Sequence, residues 1–110
     1  MNICIPIVED RGFLSPISPH FARAPMFLLV EPSSLAHRCV PNPDPEPGRC
    51  DLHDALDHEP IGSFIVGGIG ANALGQLARR NVPVYGTRCG NVADALTALI
   101  AGRLTPLEPT

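Results

Sequence analysis

Residues 66–73, VGGIGANA, hold the densest chemical signal in the chain: Gly67, Gly68 and Gly70 follow an apolar run and lead straight into a helical pattern. Small residues let backbone amides approach a ligand, and a helix N-terminus adds about half a positive charge, so this junction suits an anion. Gly68, Gly70 and Ala73 also satisfy the G-x-G-x-x-A form of the dinucleotide fingerprint. Against that use, position 88 is Arg where an acidic residue is expected, and 110 residues leave no room for a second mononucleotide-binding half. The same glycines could serve a turn needed only for close helix packing.

TRCGN at 87–91 follows the next apolar segment. A βαβ arrangement puts it beside the glycine turn at the carboxyl edge of a parallel sheet, which makes Arg88 and Cys89 candidate ligand contacts. A thiol near a helix N-terminus tends toward thiolate and suits a soft metal, while an inert loop cysteine is the plain alternative. SPISPHFARAP at 15–25 carries His20 and Arg23, although a lone loop histidine is more often structural or exposed than a ligand. In CDLHDALDH at 50–58, Cys50, His53, Asp54, Asp57 and His58 project over one arc of a short helix. That spacing permits zinc, yet these are also the positions an amphipathic helix turns to water.

The elements that must position these groups follow from periodicity. Residues 2–8 are apolar on both faces and read as a strand covered from both sides, with a local irregularity expected at Pro6. Residues 9–25 read as a long ordered loop with one short turn around His20 to Arg23. Strands at 26–31 and 35–40 form a hairpin through Pro32, Ser33 and Ser34, and the proline at every second position of 41–48 marks an extended connector. Asp51 can cap a short helix that Pro60 stops. A strand at 63–68, a helix at 70–81 and a strand at 82–86 make a right-handed βαβ unit. Asn91 caps a last helix with Val92, Ala95, Leu96, Leu99 and Ile100 on one face, Gly102 ends it, and 105–110 read as a flexible tail.

Bulk composition bounds the function classes. A chain of 110 residues that is 45% hydrophobic and 17% charged fits one domain with its own core. Net charge is -3, every cation is Arg and no basic run occurs, which argues against nucleic acid as a partner. No apolar run approaches the roughly 20 residues of a membrane span, and no basic leader is present, so a cytoplasmic address without a membrane partner is expected. The four cysteines contain no Cys-x-x-Cys pair and are expected as reduced thiols.

Taken in order, NICIPIVED, SPISPHFARAPMFLLVE, FIVGGIGANALGQLARRNVPVYGT and NVADALTALIAGRL closely resemble the dinitrogenase iron-molybdenum cofactor biosynthesis domain family. S-P-x-x-x-H-F-x-R-A-P and G-G-I-G-x-N-A are the most specific pieces. The resemblance implies a single α/β domain over 1–104, similar to a ribonuclease H-like motif, with a mixed five-stranded sheet and helices on both faces. It implies a non-catalytic binding or carrier protein for an anionic metal-sulfur cluster, either an iron-molybdenum cofactor precursor (Mo-Fe-S) or a molybdenum-copper-sulfur (Mo-Cu-S) type. A cluster-assembly or acceptor protein would then be a partner. The histidine of the family's H-F-G loop motif corresponds to His20, with Ala22 in place of the glycine. The expected cluster-binding set is His20, Arg23, Gly67, Gly68, Gly70, Arg88 and Cys89, with His20 and Cys89 touching metal. The alternative is a small nucleotide-binding regulator or enzyme using the GGIG loop, which lacks a Gly-x-Ser-x-Gly and any Walker lysine, since the chain contains no Lys.

Overall fold

Alternation along the apolar segments decides the architecture. A computed structural model of the chain describes residues 2–21, 23–42 and 60–108. In β1 (Asn2–Ile7) the side chains of Ile3, Ile5 and Ile7 enter one core and Cys4 enters the other. β2 (Met26–Val30) divides the same way, Leu28 and Val30 against Phe27 and Leu29, and so does β4 (Ile61–Val66), Ile65 against Phe64 and Val66. Each such side chain, nearly or fully removed from water, contributes about 1.5–3 kcal/mol.

The sheet has six strands in the order β3-β2-β1-β4-β5-β6, where β3 is His37–Pro41, β5 is Val84–Gly86 and β6 is Thr105–Pro106. β1, β4 and β5 run parallel to one another, while β2, β3 and β6 join antiparallel. Helix α1 (Ala71–Arg79) places Ala73 and Leu77 in the core that holds Phe27 and Phe64. Helix α2 (Val92–Ile100) places Val92, Ala95 and Leu96 in the core that holds the three isoleucines of β1. Among the described residues, α1 therefore covers one face and α2 the other.

The expected count of five strands becomes six because Thr105 and Pro106, read as tail, pair with Gly86 and Tyr85. Pro106 fits there because an edge strand tolerates a missing N–H. The irregularity expected at Pro6 occurs instead between Asn2 and Ile3, where the register with β4 shifts. Pro6 itself lies beyond the last β4 pair, Cys4 with Phe64, and its carbonyl accepts from the Ser18 amide at 2.9 Å.

Helices α1 and α2 stop by the same device. Asn81 (φ 58°) donates its amide to Ala78 O and Val82 donates to Leu77 O; Gly102 (φ 72°) donates to Leu99 O and Arg103 to Ala98 O. These left-handed Schellman ends satisfy the last carbonyls and turn the chain back toward the sheet. Asn91 caps α2 as its side chain accepts from the Asp94 amide at 2.9 Å. The motif at 50–58 lies outside the described residues.

Candidate functional site

Parallel strands β4 and β5 end side by side, and the chain leaves each through small residues. Between them lies a cavity of about 410 Å³ lined by Gly67, Gly68, Thr87 and Arg88, with Thr105 and Leu107 from the C-terminal segment opposite. Two of the groups singled out in the sequence, the glycine turn and the loop after β5, thus share one cavity. Thr87 is buried and ties that loop down: its amide donates to Val66 O and its hydroxyl oxygen accepts from the Cys89 amide at 3.0 Å. Arg88 is exposed and makes no ion pair among the described residues.

Gly67 and Gly68 have a structural reason that sequence reasoning missed. A Cβ on Gly67 would stand 2.7 Å from Ser18 O, and one on Gly68 would run into Pro19 O. The strand exit is pressed against the backbone of the 15–21 loop, and Phe21 donates its amide to Gly68 O at 3.0 Å. His20 is exposed on that same loop, one residue from this bond. Its amide donates to Ser18 Oγ, whose hydroxyl donates to His20 O at 2.9 Å. Ser15 is spent similarly, donating to Gly12 O and accepting from the Arg11 amide, each at 2.7 Å. Arg23 is exposed within the turn closed by Ala24 N to Phe21 O. Neither His20, Arg23 nor Cys89 lines the cavity.

The N-termini of α1 and α2 differ. At α2, Val92 and Ala93 donate to Ser15 O and Phe13 O, and Asn91 takes the Asp94 amide, so the first-turn donors are committed to the protein's own oxygens. Little of that positive end is left for Cys89, which is half-buried against the second core. At α1 the N-cap is Gly70, with no side-chain cap, no acidic residue in the first turn and nothing within 4 Å of where a Cβ would sit. Its backbone is extended, φ -73° and ψ 156°, and the α1 N-terminus follows directly on the glycine turn.

The remaining described thiols are Cys4, fully buried, and Cys39, whose thiol is pushed up by burial and then by the charge of Asp10. Among the described residues no three His, Cys, Asp or Glu side chains gather to hold a metal ion. No helix among them is long and apolar enough to cross a membrane.

Residues 1–102 match the family model described as dinitrogenase iron-molybdenum cofactor. The chain belongs to that dinitrogenase iron-molybdenum cofactor family. A NifB-like protein from Thermotoga is similar to this family member at 29% identity, with a TM-score of 0.79 over 96% of this chain and 92% of that one. The apo orange protein of Desulfovibrio gigas is 20% identical, with a TM-score of 0.81 over 99% of this chain and 95% of that one. A dinitrogenase-like protein from Methanocaldococcus jannaschii is 14% identical, with a TM-score of 0.71 over 100% of this chain and 97% of that one. The last two likenesses concern the fold alone. No curated protein matches the chain.

Proposed function

We propose that this member of the family binds and carries an anionic metal-sulfur cluster, of Mo-Fe-S or Mo-Cu-S type, without catalysing a reaction on it. The observation that carries the reading is the cavity at the ends of β4 and β5, with Arg88, which has no ion pair among the described residues, in its lining and the α1 N-terminus, which has no side-chain cap, following the glycine turn. Guanidinium and free amide donors favour an anion over a neutral or cationic ligand. Gly67, Gly68, Gly70 and Arg88 would supply these donors. Arg23 would add charge from the adjoining loop. His20 and Cys89, neither of which lines the cavity, are the proposed metal contacts, since the family resemblance gives the histidine that role and a cysteine sulfur suits a soft metal. The cluster would pass to or from an assembly or acceptor protein.

The test is anaerobic reconstitution with tetrathiomolybdate and copper(I), or with an iron-sulfur precursor, followed by metal analysis and visible absorption. The parent chain is expected to retain stoichiometric metal with charge-transfer bands. A Gly70→Asp variant should fold at least as stably, because aspartate caps a helix well and position 70 already has extended backbone. Its carboxylate would occupy the α1 donors, so cluster affinity should fall by about fivefold or more. His20→Ala should retain its fold and lose metal. A parent chain that never holds metal under these conditions would overturn the reading.

A further inference from the structure

The far wall of the cavity comes from neither the glycine turn nor the Arg88 loop. It is made by Thr105 and Leu107, and both lie past residue 102, where the family match ends. The left-handed Gly102 sends the chain back from α2, Leu104 packs into the second core, and β6 adds two residues to the sheet edge. Leu107 then donates its amide to Val84 O at 2.7 Å, and its side chain lies across Gly86. The contact is close, since a Cβ on Gly86 would stand 3.2 Å from Leu107 Cδ2.

We propose that Leu107 is the specificity-determining wall of this cavity, setting how large an anion can sit against Gly67, Gly68 and Arg88. This rests on reading the cavity as the anion site. The donors fix the sign of the ligand's charge, but they line only one side and cannot limit its size. The opposite side is Thr105 and the branched side chain of Leu107, which is held by its own amide bond to Val84 O and lies over the open face of Gly86. Whatever enters must fit between the donors and this leucine, or displace a ladder only two residues long.

Molybdate and tetrathiomolybdate test the idea, because they share charge and tetrahedral shape and sulfur is larger than oxygen. Affinities of both are measured by calorimetry for the parent, Leu107→Phe, Leu107→Ala and Gly86→Ala chains, each checked by thermal unfolding. Leu107→Phe should lower the tetrathiomolybdate-to-molybdate affinity ratio by about fivefold or more, within the range a misfit of one or two carbon atoms produces in a shaped pocket. Leu107→Ala should move the ratio the opposite way. Gly86→Ala keeps the leucine but displaces it, and should also alter the ratio without unfolding the sheet. Hydrogen exchange at the Leu107 amide gives a reading independent of any ligand, and slow exchange is expected in the parent chain. Fast exchange there, or unchanged ratios in all three variants that still bind both anions, overturns the role of Leu107 alone. A parent chain that binds neither anion overturns the anion site and this wall together.

Discussion

Replacing Phe21 by Ala is expected to destabilise the domain by about 3–5 kcal/mol, the usual cost of emptying a buried aromatic site. Phe21 is 2% exposed, and its ring centroid lies 5.7 Å from that of Phe27 and 5.6 Å from that of Phe64, in tilted and edge-on geometry. The three rings join the 15–21 loop to β2 and β4, so the loss would fall on a contact between elements. It would also loosen the Phe21 amide bond to Gly68 O and thus the fastening of His20 to the glycine turn. Urea denaturation with Phe21→Leu as a milder companion measures this. A loss below about 1 kcal/mol for the alanine variant would mean that the site collapses on itself and that the ring is no anchor.

Gly68→Val should be nearly as damaging, for a different reason. The added Cβ meets the Pro19 carbonyl, which is backbone and cannot rotate away, so either β4 or the loop must move. Overpacking of this kind costs about 1–3 kcal/mol or more. The same move would displace one wall of the cavity, and anion affinity should drop with stability. Gly70→Ala is the matched control: position 70 has open space and an extended backbone, and loss of a glycine N-cap should cost less than about 1 kcal/mol. Equal stability losses at positions 68 and 70 in thermal or urea unfolding would contradict this account.

Much of the fold was legible because its elements are periodic. Ile3, Ile5 and Ile7 alternate with Cys4, and Val92, Ala95 and Leu96 share one helical face, so β1 and α2 could be placed from spacing alone. β6 was not legible, since two residues carry no period and Pro106 reads as a strand breaker anywhere but an edge. The wall made by Leu107 went unseen with it. A pointer was nevertheless present: Gly102 at the end of α2 predicts a reversal of the chain, and apolar Leu104 and Leu107 after it need a surface to cover. At the site, the glycines were legible as small but not for their cause. Only the structure brings the Ser18 and Pro19 carbonyls against them, from residues about 50 positions earlier in the chain. The positive end of α2 could not be judged from sequence either, because Ser15 and Phe13 occupy it through backbone oxygens that no side-chain pattern reveals.

The segment from Phe13 to Pro19 is a loop by its composition, and loops ordinarily absorb insertions. This one is engaged in register on three sides. Val8 and Ser18 donate across to Pro16 and Pro6 around the Ile7–Ile17 bridge, Ile17 donates to Gly90 O, and the Ser15 and Phe13 carbonyls receive the first amides of α2. One added residue anywhere between Phe13 and Ser18 would slide at least one of these partners out of step. It would either free the start of α2 or rotate Ile17 out of the core it packs against. The spacing from Ser15 to Phe21 is therefore held by hydrogen-bond register before any ligand is considered. Changes of length here should be tolerated no better than in a central strand.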